Sequence, residues 1–151
     1  MPDEKIILLV DDDEDDCFLF KEVLTEVDSS VKVLNAENGK VALQMLWDQN
    51  SVLPDLILLD LNMPKMDGKQ FLAQLKNYEE LSRIPVFIYT TSSQSKDIEF
   101  TLQLGASCFI TKPASFSDLK TLLSVIAPNM RNIPLALQLL NKHSEWVLSN
   151  A

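Results

Sequence analysis

Five short apolar runs, each followed by a stretch with apolar residues at helical spacing, leave this 151-residue chain few ways to fold. Ile6–Val10 is unbroken and closed by acids, the pattern of a strand covered on both faces. From about Asp15, Phe18, Leu19, Val23, Leu24 and Val27 recur at helical spacing. Val31–Asn35 reads as a second strand, and Gly39–Asp48 is helical through Val41, Ala42, Met45 and Leu46. Pro54 introduces a third strand, Asp55–Asp60, and Asn62–Gly68 is a loop. Phe71, Leu72 and Leu75 mark a third helix, and Pro85–Tyr89 is a fourth strand. Ile98, Leu102 and Leu104 mark a helix that stops at Gly105. Cys108–Ile110 is a fifth strand, and Phe116, Leu119, Leu122, Leu123 and Ile126 form a last amphipathic helix. Such alternation predicts an α/β fold: a doubly wound, five-stranded parallel sheet with helices on both faces.

Sheets of this kind place their sites at the carboxyl ends of the strands. Strand one ends at Asp11 and Asp12, strand three at Asp60, strand four at Thr90, and strand five just before Lys112. Three carboxylates gathered on one rim repel one another unless a cation lies between them. Hard oxygen ligands with positions left for water suit Mg²⁺, and a backbone carbonyl such as that of Asn62 could add to them. A cation there would neutralise an incoming phosphate and let Asp60 attack phosphorus. Lys112 and the Thr90 hydroxyl would hold phosphoryl oxygens. Taken singly, each residue has a blander reading. Asp11 and Asp12 could be solvated turn residues, and Asp13–Asp16 suit a helix start, where the macrodipole favours negative charge.

Charge placement agrees. The net charge is −9, from 22 acids and 13 bases, and residues 1–16 hold eight acids against Lys5. An acidic chain lacks the basic face that a nucleic-acid binder needs. Neither Ile6–Val10 nor Leu56–Leu59 is long enough to cross a bilayer. The acidic N-terminus has no signal-peptide pattern, which makes the cytoplasm the default location. Cys17 and Cys108 read as buried small hydrophobes. Trp47 reads as core or helix-face packing.

The combined motifs resemble the receiver domain of two-component response regulators, of the single-domain kind found in chemotaxis and phytochrome signalling. They are Val10-Asp11-Asp12, Asp60 within Leu-Leu-Asp-Leu-Asn-Met-Pro-Lys-Met-Asp-Gly, Thr90 after a Pro-initiated strand, and Lys112-Pro113 after Gly105-Ala106. The likeness covers about residues 5–127. It implies a flavodoxin-like (βα)₅ receiver fold with Asp60 as phosphoacceptor. It implies Mg²⁺ held by Asp12, Asp60 and the Asn62 carbonyl, with Asp11 acting through water. Thr90 and Lys112 would hold the phosphoryl group. Thr90 and Phe109 would form the switch, with Phe109 standing where tyrosine is common and lacking its hydroxyl. The Lys112–Pro113 bond would be cis. The face of the fourth helix, fifth strand and fifth helix would be the output surface, with Thr91, Ser92, Phe109 and Lys112 at its edge.

The same resemblance makes the chain a phosphoaccepting signalling protein rather than an enzyme. Its partners would be a sensor histidine kinase or phosphotransfer protein and a downstream protein target, with no nucleic acid and no membrane insertion. Residues 1–127 form the receiver. Residues 128–151 are a helical extension, too short for a DNA-binding output domain. That tail reads as a lid on the receiver in preference to a dimerisation arm, with a homodimer left open. His143 in it has no motif around it that would make it a phosphohistidine. An aspartyl-phosphate phosphohydrolase would want an acid at position 62, where Asn62 stands. A flavodoxin-type cofactor binder would want a Ser/Thr/Gly-rich loop in place of Asp11–Asp16. A degenerate receiver would lack part of the phosphorylation set, all of which is present.

Overall fold

Ile6–Val10 (β1) pairs in parallel with both Lys32–Ala36 (β2) and Leu56–Leu59 (β3), and all five of its residues are buried. A strand flanked on both edges and covered on both faces meets no water, hence its unbroken apolar run. Val86–Thr90 (β4) pairs with β3, and Cys108–Thr111 (β5) pairs with β4, both in parallel. The order is β2-β1-β3-β4-β5, so the chain reverses direction across the sheet between β1 and β3. That switch point opens a crevice at the strands' carboxyl ends. The computed structural model describes residues 4–48, 52–63, 65–91, 94–143 and 146–149.

The pleat sends alternate side chains to opposite faces. Ile7, Leu9, Leu56, Leu58 and Phe87 meet Glu14–Val27 (α1), through Phe20, Val23 and Leu24, and Phe116–Asn129 (α6), through Leu122, Leu123 and Ile126. Leu8, Val10, Ile57, Leu59 and Ile88 meet Gly39–Trp47 (α2) and Gly68–Lys76 (α3) on the other face. Ser95–Gln103 (α5) packs there more thinly: Thr101 is its one buried residue, with Ile98 and Leu102 half-buried. Side-chain caps begin most of these helices. Asp13 accepts from the amides of Asp15 and Asp16, and Asp67 and Gln70 form a reciprocal capping box.

The sheet departs from the five-stranded expectation. Val147–Ser149 (β6) joins as a sixth strand, antiparallel to β5. It covers an edge that would otherwise leave backbone groups unpaired, and buried Val147 joins the α1–α6 core. The extension is therefore a helix, a 3₁₀ turn and a strand. Ile133–Leu140 (α7), capped by Asn132, buries Ala136 and Leu140, and the turn spans Asn141–His143. A further short helix, Glu79–Ser82 (α4), was not foreseen, so the helix after β4 is α5.

Two smaller expectations also fail. No peptide bond among the described residues is cis, Lys112–Pro113 included; trans is the lower-energy isomer even before proline. Trp47 follows the helix-face reading rather than the core one: it is 49% exposed and lies edge-on to Tyr78. Phe109 is buried, not at a surface edge. Ser92 of the expected output edge and Pro64 of the loop motif lie outside the described residues. Both cysteines are free and buried, and burial pushes both thiols up, Cys17 to about 11.

Candidate functional site

The backbone ladders run one residue past the switch-point strands. The Asp11 amide donates to Ala36 O at 2.9 Å, and the Asp60 amide donates to Val10 O at 2.9 Å. Two carboxylates are thereby fixed side by side on the central strands. Gly68 allows the crowding behind them: a Cβ there would stand 2.3 Å from Asp60 O and 2.7 Å from Leu61 Cα. The first turn of α3 thus rests against the backbone that carries Asp60.

One carboxylate oxygen each from Asp11, Asp12 and Asp60 lies within 4.8 Å of the others. Asp11 and Asp60 are buried and Asp12 is exposed, so the cluster has a closed floor and an open mouth. Thr90, fully buried at the end of β4, donates from Oγ1 to Asp60 Oδ1 at 2.7 Å. The Asn62 amide stands 3.4 Å from the same oxygen. Lys112 reaches in from beyond β5. Its Nζ is 2.7 Å from Asp11 Oδ2, 2.8 Å from Asp16 Oδ2 and 3.8 Å from Asp60 Oδ2, and it lies over the Tyr89 ring at 5.7 Å from the centroid. Asp11, Asp12, Asp60, Thr90 and Lys112 are thus brought together on one rim, while the contact Asn62 makes with Asp60 is through its amide rather than the expected carbonyl. Asp16 is an addition. It was read as a helix-start residue, and in the first turn of α1 its side chain also reaches the rim.

One lysine does not balance four carboxylates. Burial pushes Asp11 up to about 6 against the downward pull of Lys112. Burial pushes Lys112 down, but Asp11 and Asp16 more than offset it, and Lys112 stands above the ordinary lysine value. Asp11 Oδ2 is buried and makes no hydrogen bond of good geometry, although Lys112 is close. A buried anionic oxygen so placed, beside two further carboxylates, fits a hard divalent cation. The donor set is all oxygen and open to water on one side, as Mg²⁺ requires.

A pH effect follows from Asp11. A carboxyl raised in the fold gives stability that is complete below the unfolded value near 4 and is lost as pH rises through about 6. Without divalent ions, wild type should therefore lose stability relative to Asp11→Asn as pH rises from 4 to 7. Saturating Mg²⁺ should shrink that loss. Melting curves with chelator or with Mg²⁺ give the comparison; a difference that stays flat with pH would contradict it.

A doubly wound sheet whose switch point gathers acids, a threonine and a lysine defines a class of parallel α/β proteins with an acidic rim suited to a divalent cation. Residues 7–124 match the response regulator receiver domain, and the chain belongs to that family. It is 40% identical over 119 residues to Response regulator Rcp1 of Synechocystis sp., covering 76% of this chain and 81% of that one. Two solved structures are similar. The phosphorylated cyanobacterial phytochrome response regulator RcpA superposes with a TM-score of 0.79 at 36% identity, over 86% of this chain and 96% of that one. The Mn²⁺-bound form of Rcp1 superposes with a TM-score of 0.76 at 36% identity, over 85% and 95%. Receiver domains of two-component systems bind Mg²⁺ at an acidic pocket, and Asp11, Asp12 and Asp60 form such a pocket here. No described helix is long and apolar enough to cross a membrane.

Proposed function

We propose that this chain is a stand-alone response regulator of a cytoplasmic two-component phosphorelay, with Asp60 as the phosphoacceptor. The donor is a sensor histidine kinase or a phosphotransfer protein. The observation that supports this reading most is the setting of the Asp60 carboxylate, buried between two further aspartates, a threonine hydroxyl and a lysine. Asp12, Asp60 and the Asn62 carbonyl would hold Mg²⁺, with Asp11 assisting through water. The bound cation would supply positive charge against the phosphate oxygens.

In the transfer, an Asp60 oxygen bonds to phosphorus as the donor's P–N bond breaks. The imidazole leaves with the electron pair and takes a proton. Lys112 then pairs with a phosphoryl oxygen, and Thr90 turns its hydroxyl from Asp60 Oδ1 to another. That turn draws on the end of β4, to which the thinly packed α5 is attached. Phosphorylation thereby shifts a two-state equilibrium of the face made by α5, β5 and α6, with Phe109 following Thr90. Because β6 covers the edge of β5, a downstream protein meets α5, α6 and β6 there. RcpA is a cyanobacterial phytochrome response regulator, and we take a phytochrome-type kinase as the input to test first. We read the chain as a signalling protein that processes only its own phosphoryl group. Asn62 stands where a phosphohydrolase would place its second acid, and the acidic loop after β1 would repel a flavin phosphate.

Amide spectra with a phosphate mimic and Mg²⁺ test the relay. Wild type should change across residues 90–112. Lys112→Ala should still bind Mg²⁺ but lose those changes. An unchanged wild-type spectrum in that stretch would refute the switch.

A further inference from the structure

Lys112 is 8% exposed and carries three N–H donors, so nearby acceptors must satisfy it. Asp16 Oδ2 accepts a hydrogen bond from it at 2.8 Å, while Asp11 Oδ2 at 2.7 Å and Asp60 Oδ2 at 3.8 Å are ion-pair neighbours. Asp11 belongs to the acidic trio, whereas Asp16 does not: its side chain is 39% exposed and sits at the start of a different element, α1. Resting on the phosphoacceptor reading above, we propose that Asp16 is a positioning residue. It holds the Lys112 ammonium off the Asp60 carboxylate until a phosphoryl group arrives.

Without Asp16, Asp11 Oδ2 still lies 2.7 Å from the ammonium, and the next carboxylate it can turn to is Asp60 Oδ2, now at 3.8 Å. A direct Lys112–Asp60 pair would tie up the nucleophile and compete with the cation for it. With Asp16 in place, Lys112 keeps its charge beside the space that a phosphoryl oxygen would enter, and its ammonium stays 3.8 Å from Asp60 Oδ2. The reaction used to read this is transfer from acetyl phosphate. An Asp60 oxygen bonds to phosphorus, the P–O bond to the acetyl group breaks, and acetate leaves with the electron pair.

The test compares Asp16→Ala with Asp15→Ala in the full chain. Both remove one negative charge from the first turn of α1, and the structure gives the Asp15 side chain no contact with Lys112. Labelling by acetyl phosphate should slow by about fivefold to tenfold in Asp16→Ala, the net size of one ordinary intramolecular hydrogen bond, as suits a partly exposed partner. It should stay near wild type in Asp15→Ala and recover in Asp16→Glu. The Lys112 Nζ resonance, recorded without phosphodonor, should move in Asp16→Ala alone. Adding Asp60→Asn should perturb that resonance more in the Asp16→Ala background than in wild type, reporting the new pair. Equal slowing in both alanine variants would overturn the proposal, as would an unmoved resonance. If wild type itself takes no phosphate, the phosphoacceptor reading fails. The resonance arm still decides whether Asp16 places Lys112.

Discussion

Asp60→Asn is expected to abolish phosphorylation by acetyl phosphate while leaving the protein folded. The amide has no anionic oxygen to attack phosphorus, so incorporation of one phosphoryl group, read by intact mass, should fall to background. The fold should survive because the amide oxygen can still accept the Thr90 hydroxyl, now 2.7 Å from Asp60 Oδ1. Losing one of four crowded carboxylates also relieves repulsion, so the metal-free variant should melt at or above the wild-type temperature. Labelling and folding should therefore separate. A folded variant that still gained a phosphoryl group would place the acceptor elsewhere.

Gly68→Ala is expected to be the most damaging small substitution at the site. Its methyl would stand 2.3 Å from Asp60 O and 2.7 Å from Leu61 Cα, both backbone atoms of a buried segment that cannot step aside. Either α3 lifts away or the Asp60 backbone shifts. The cost is that of overpacking a tight core, about 2–3 kcal/mol. Because the strain falls on the residue that carries Asp60, Mg²⁺ affinity should drop with stability. Denaturant melts and a Mg²⁺ titration of the same preparation would show both. An alanine variant as stable as wild type would mean that the packing of α3 on β3 is looser than described.

The fold was legible where local pattern and tertiary demand coincide. β1 and β3 are buried on both faces, so continuous apolar runs announce them, and the acids that close those runs announce the rim. Asp13 read as a helix start because capping is chemistry between neighbours in sequence. The failures share a cause. β6 is three residues long and exists by pairing with β5 some 40 positions earlier, which no local period reveals. The four-residue α4 is too short to show a period. Trp47 was open to a core or a helix-face reading, and only the fold decides between them by setting it at the end of α2 against Tyr78. Asp16 was assigned one role from its position along the helix, while its reach to Lys112 depends on a residue 96 positions away.

Charge governs the site: Asp11, Asp12 and Asp60 share one rim with a single lysine, and a divalent ion among them would balance the rim and ready Asp60 for phosphate. A crystal grown with Mn²⁺ would examine this directly through anomalous scattering. We expect one peak in the crevice, about 2.0–2.2 Å from carboxylate oxygens of Asp12 and Asp60, with water on the open side. A crevice without a peak while Mn²⁺ binds elsewhere on the chain would contradict it.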